Sequence, residues 1–168
     1  MVIIVATDEE YKFASEKFGD KHKVIQTGVA GPNTIATLKD FDKSEKLLSL
    51  GFVGSNHLAV GTVVKVKDVA LYHPNCTFKE ETYPLEQNFP ENILKAILAT
   101  GIPPRIFREE PVSCLTNNDF VLATKITEPV VFDMELVYLP ALGFKHVSAL
   151  KIVSDNLDLH AYTKTVLA

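Results

Sequence analysis

Five times along this chain an apolar or β-branched run stops at a polar or glycine-rich cluster. Val2 to Ala6 ends at Asp8-Glu9-Glu10. His22 to Thr27 ends at Gly28. Lys46 to Phe52 ends at Gly54-Ser55-Asn56. Val130 to Phe132 ends at Asp133-Met134-Glu135, and Val147 to Val153 at Ser154-Asp155-Asn156. Short continuous apolar runs read as strands covered on both faces. After the first, Tyr11, Phe13, Ala14 and Phe18 make an approximate helical stripe that Gly19 ends. Thr7 or Asp8 can cap that helix, and Glu9 and Glu10 suit its first turn. Strands alternating with helices predict an α/β fold around a largely parallel sheet. Such sheets bind ligands beyond the carboxyl ends of their strands, where these clusters stand.

The remaining segments fit the same plan. Thr34 to Leu38 reads as helical after the turn at 28–33. Gly61 to Val66 and Asp68 to Tyr72 read as two strands with a break between them. His73 to Pro90, with three prolines and little periodicity, reads as a long loop. Pro90 opens a helix to about Thr100, and Gly101 lies past its end. Ile106 to Leu115 contains a strand. A helix is expected from Asp133 through Leu142, with Pro140 loosening its last turn and Gly143 stopping it. Leu157 to Ala168 is expected to be a short final helix or tail. The 168 residues form a single domain, 1–168, with no internal repeat or linker.

Composition narrows the function classes. With 46% hydrophobic and 23% charged residues, the chain is neither disordered nor low-complexity. Its net charge of -4, with Arg105 and Arg108 as its arginines, argues against nucleic acid or an anionic membrane as partner. No run of about 18 apolar residues suggests a membrane span. The apolar start runs straight into acids, which fits a buried strand better than a leader, and the expected compartment is the cytoplasm. Cys76 and Cys114 have no metal-site spacing and read as free thiols.

The glycine turns contain neither Gly-Lys-Ser/Thr nor Gly-x-Gly-x-x-Gly, so no nucleotide cofactor is expected, and on spacing alone they read as tight strand-to-helix turns. The histidines show no paired spacing, so no metal is expected. There is no Gly-x-Ser-x-Gly nucleophile elbow. Glu9, Glu10, Glu135 and Asp155 each sit where a strand gives way to a helix, and the helix dipole accounts for any one of them alone. Their common placement at separate strand ends of one sheet is what points to a shared cleft.

These segments together resemble the nucleoside phosphorylase and hydrolase superfamily, and within it most the 5'-methylthioadenosine/S-adenosylhomocysteine nucleosidases. The resemblance rests on Val-Ala-Thr-Asp-Glu-Glu (5–10), Thr-Gly-Val-Ala-Gly (27–31), Leu-Gly-Phe-Val-Gly (50–54), Ala-Val-Gly-Thr-Val-Val (59–64) and Tyr72-His73. Asn-Asp-Phe-Val (118–121), Phe-Asp-Met-Glu (132–135) and Lys-Ile-Val-Ser-Asp (151–155) complete the ordered set. It implies a three-layer α/β/α sandwich with a mixed, largely parallel central sheet, and cleavage of an N-glycosidic bond without a cofactor. Asp155 resembles the acid that protonates purine N7, and Glu10 the carboxylate that activates water. Met134 and Glu135 resemble the ribose floor, Phe120 the aromatic stacked on the base, and Val121 the backbone that reads its edge. Ser154 resembles the support of Asp155. Phe52 and Val53 fall in the substrate-lining loop, where the family usually has a small polar residue in place of Phe52. Lys151 stands in place of an arginine.

The resemblance further implies a small purine nucleoside as partner and a homodimer, with His73 to Pro90, including Tyr72, Phe78 and Tyr83, as the candidate contact. It makes the chain a short member, shortened between Gly19 and His22 and in its final helix after Asp155. Arg105 and Arg108 lie outside the loops that grip phosphate in the superfamily's phosphorylases, so water is the expected nucleophile. A phosphate-dependent phosphorylase and a non-catalytic nucleoside-binding relative are the alternatives.

Overall fold

Thr7 shows how the first strand hands over to the first helix. The computed structural model describes residues 1–72, 81–101 and 105–158. β1 (Val2–Val5) is buried along its whole length, and α1 (Asp8–Phe18) follows after a single cap residue. The Thr7 side chain accepts from the Glu10 N–H while the Glu10 side chain reaches back to the Thr7 N–H, a reciprocal capping box.

The order continues with β2 (Lys23–Gln26), α2 (Ala30–Leu38), β3 (Lys46–Ser55), β4 (Thr62–Leu71), β5 (Thr82–Pro84) and α3 (Glu91–Leu98). Then come β6 (Ile106–Thr116), β7 (Val130–Asp133), α4 (Tyr138–Ala141) and β8 (His146–Asp155). Among the described residues the strands form one eight-stranded mixed sheet. β1 pairs in parallel with β2 and β3, β3 with β8, β4 with β6, and β6 with β7. The antiparallel pairings are β3 with β7, β4 with β5 and β4 with β8. Those pairings close a ring: β3, β8, β4, β6, β7 and back to β3. The expected sandwich is therefore present with a sheet that also curls shut at one end.

Alternation along the strands sends side chains to two layers. Ile3, Val5, Leu48, Leu50, Leu150 and Ile152 pack under α1 and α3 with Phe18, Ile93 and Ile97. Val2, Ile4, Leu47, Val53, Val147 and Val153 face the other way, with Leu38 of α2 and Leu139 of α4. Burying such side chains is worth roughly 1.5–3 kcal/mol each.

Several expectations change. The two strands expected at 61–72 are one strand, β4, and the expected break is a pair of register shifts against β6 around Val66. The loop expected at 73–90 contains β5, an edge strand pairing Tyr83 with Val69. Tyr72 packs edge-on against Phe132 at 5.2 Å. The helix expected from Asp133 to Leu142 is only α4, because Asp133, the last residue of β7, accepts from the N–H groups of Glu135 and Leu136 and holds residues 134–137 as a turn. α2 starts earlier than expected, at Ala30. His73, Cys76 and Phe78, and the final segment from residue 159, lie outside the described residues.

Candidate active site

Glu10 is buried, and backbone donors hold its carboxylate. Oε1 accepts from the N–H groups of Ala6 at 2.9 Å and Thr7 at 3.0 Å, and Oε2 from that of Phe52 at 2.9 Å. Gly51 makes the approach possible: a Cβ there would stand 2.5 Å from Glu10 Oε2. Phe52 gives the site its N–H. Its ring lies on the other face, in the α1/α3 layer and under the Arg105 guanidinium, 5.8 Å from the ring centroid. The side chain of Val53 is buried in the core opposite, and its carbonyl lies 3.3 Å from Ser154 Oγ.

Glu135 follows β7, near enough to Glu10 for the two charges to disfavour one another. Its Oε2 accepts from the Ala30 N–H at 3.0 Å. Ala30 has a φ of 72°, a left-handed conformation rare for a residue with a side chain. The neighbouring Gly31 is required by Tyr138, whose ring atoms a Cβ would meet at 2.4 Å. Asn118 ties these segments together, its Oδ1 accepting from the Gly31 N–H at 2.9 Å and the Tyr138 hydroxyl at 3.0 Å. Burial, then the nearby Asp133, pushes the Glu135 carboxyl up to about 8, against the Ala30 N–H and Lys151, which pull it down.

Asp155 ends β8 and is fully buried. The Ser154 hydroxyl donates to its Oδ2 at 2.8 Å, and the N–H groups of Leu157 and Asp158 donate to Oδ1 at 2.8 and 3.3 Å. Burial nevertheless holds its carboxyl above the ordinary value. A Cβ on Gly54 would lie 3.0 Å from Asp155 Oδ1 and 3.1 Å from a Leu157 methyl carbon. Thus β3 carries the Glu10 contact at Gly51 and Phe52 and the Asp155 contact at Gly54. Those strand positions are roughly 7–10 Å apart.

Phe120, Val121, Met134 and Gly54 come together around one small cavity, with Asp119, Phe132, Asp133 and Leu157. At about 20 Å³ it has room for about one water. The partly buried Leu157 side chain lines that space and packs against the Val121 and Phe132 cluster, from a backbone φ of 68°. A larger groove of about 380 Å³ opens on the opposite face, between α1 and α3, and touches Glu10 but neither Glu135 nor Asp155.

Lys151 was noted in the sequence only as standing in place of an arginine. Its ammonium is buried, donates to Ser49 Oγ at 2.7 Å, and lies 3.9 Å from Asp133 Oδ2. Asp133, Ser49, Asn118 and Leu157 were given no site role in the sequence. The signal for Asp133 was a charged residue ending an apolar strand beside Met134-Glu135. Nothing local marked Ser49 or Leu157. Among the described residues no three of His, Cys, Asp and Glu are grouped to hold a metal ion, and no helix is long and apolar enough to cross a membrane.

No family model matches this chain, and no curated protein sequence matches it. Solved structures do. A futalosine hydrolase of Helicobacter pylori superposes with a TM-score of 0.71 at 15% identity, over 98% of this chain and 89% of that one. A 5'-methylthioadenosine/S-adenosylhomocysteine nucleosidase of Streptococcus pneumoniae, with a transition-state inhibitor, gives 0.69 at 15% identity over 99% and 91%. The nucleosidase of Colwellia psychrerythraea, in complex with adenine, gives 0.71 at 14% identity over 98% and 87%. The fold is that of these nucleosidases. The shared fold accounts for the mixed sheet.

Proposed function

We propose that the chain is an N-glycosidic hydrolase that releases adenine from a 5'-substituted adenosine, such as 5'-methylthioadenosine or S-adenosylhomocysteine. The observation that carries this reading is the placement of Glu10 and Asp155 along one end of β3.

A purine anion leaves poorly, so the reaction needs an acid at N7. Asp155, raised by burial, is suited to hold that proton. When protonated it can donate to Ser154 Oγ, whose own hydrogen can turn to the Val53 carbonyl, so no buried group is orphaned. On reaction the proton passes to N7, the C1'–N9 bond breaks, and positive charge develops on the sugar. Glu10 stabilises that charge and takes the proton of the water that attacks C1'. Glu135 and Met134 hold the sugar, and Phe120 and Val121 the base. The products are adenine and a free ribose derivative.

Water is favoured over phosphate because neither arginine faces this cleft. Arg105 lies over Phe52 on the opposite face, and Arg108 pairs with Glu110 at 3.3 Å. A cytoplasmic homodimer belongs to the same reading and rests on the resemblance; sedimentation of the purified protein tests the dimer. The assay for the activity mixes protein with methylthioadenosine in phosphate-free buffer and follows free adenine. Adenine release supports a hydrolase, and release only on adding phosphate would replace it with a phosphorylase.

A further inference from the structure

Asp133 is buried and surrounded by donors. Its Oδ1 accepts from the Thr116 hydroxyl at 2.5 Å and lies 3.4 Å from the Cys114 thiol. Its Oδ2 accepts from the Leu136 N–H at 2.8 Å and the Glu135 N–H at 3.4 Å, and faces Lys151 Nζ at 3.9 Å. Thr116 Oγ1 in turn accepts from the Val137 N–H at 3.1 Å. Directly or through Thr116, Asp133 therefore fixes the N–H groups of residues 135, 136 and 137, the turn that presents Met134 and Glu135. Its oxygens are taken, so it has nothing left to offer a substrate.

We propose that Asp133 is a positioning residue which, with Lys151, governs the charge on Glu135 and so couples capture of the sugar hydroxyls to loss of a proton. The inference rests on the reading of Glu135 as the sugar-binding group. The groups facing Glu135 come from every element around it. Burial first, then Asp133 on β7 and last Glu10 on α1, disfavour its negative charge, while the Ala30 N–H at the start of α2 and then Lys151 on β8 favour it. The carboxyl sits at about 8. The empty site therefore favours the protonated carboxyl more than water does. A sugar diol donating two hydroxyls needs both oxygens as acceptors, so the proton leaves to solvent as the sugar binds.

The test titrates the Glu135 carboxyl by carbon-13 NMR in the ligand-free protein, its signal assigned by loss in Glu135→Gln. The pH dependence of kcat and of kcat/KM for adenine release is measured in parallel. Asp133→Asn removes a negative neighbour and moves the Glu135 midpoint down by about one pH unit. Lys151→Met removes the positive one and moves it up by a similar amount, and Lys151→Arg restores it. The kinetic shift appears in kcat/KM and not in kcat. A purely structural role moves both variants the same way or leaves the midpoint in place, and either result overturns the proposal. If Asp133→Asn fails to fold, the Lys151 pair of variants carries the test alone. Opposite shifts without adenine release overturn the nucleosidase reading and leave the charge coupling standing. Adenine release with no such shifts overturns the coupling and leaves the nucleosidase reading.

Discussion

The Phe52 N–H donates to Glu10 across 42 residues of sequence, and this bond fastens α1 to β3 at the mouth of the cleft. Two further backbone donors complete the grip on the carboxylate. Glu10→Gln must place an amide nitrogen against at least one of those N–H groups. Thermal denaturation should show a loss of about 1–3 kcal/mol. Adenine release should fall by roughly 100-fold or more at a temperature where the variant is folded. Unchanged turnover would remove Glu10 from the water-activating role.

Asp155→Asn keeps the shape of the side chain and an acceptor for the Leu157 N–H, but it has no proton to give N7. Turnover should fall by roughly 100- to 10,000-fold, with the circular dichroism spectrum preserved. A variant of near-normal activity would show that the proton comes from elsewhere.

Much of this arrangement was legible in the sequence because strand ends announce themselves. The run Val2 to Ala6 and the acids after it point to β1, a cap at Thr7 or Asp8, and α1 together, and the structure places the cap at Thr7. What stayed hidden depends on non-local pairing. β3 meets β7 only at Gly54 and Ser55, and that short antiparallel contact closes the ring that brings Asp133 to Lys151. No spacing within either segment encodes it. β5 was missed because three residues on a sheet edge, ending in proline, carry no alternation. α4 was overestimated because Asp133 competes for the N–H groups a longer helix would need.

Glu135 also leaves a mark on stability. Its carboxyl is raised from 4.5 to about 8 in the folded protein. Between those values the folded chain keeps a proton that the unfolded chain has lost. The Glu135 contribution is therefore absent below pH 4.5, turns increasingly unfavourable as pH rises, and is complete above about 8. Glu135→Gln should flatten the fall in melting temperature across that window and melt higher than the parent at its alkaline end. Parallel melting curves for the two proteins at every pH would contradict the raised value.

Leu157 lines the cavity shared with Gly54, Phe120, Val121 and Met134, where the proposed reading seats the base. Its left-handed φ suits glycine better. Leu157→Gly should widen the cavity and, if the base binds there, remove a side chain from its path. Adenine affinity measured by calorimetry should rise roughly tenfold, equivalent to about 1.4 kcal/mol. Equal or weaker affinity would show that the base binds without moving Leu157.

The central claim is that water, activated at Glu10, attacks C1' as Asp155 protonates the base. Running the reaction on methylthioadenosine in oxygen-18 water, without phosphate, and weighing the products tests it most directly. The account predicts unlabelled adenine and a sugar carrying one oxygen-18. No adenine, or adenine only with phosphate and a sugar phosphate as partner product, would contradict it.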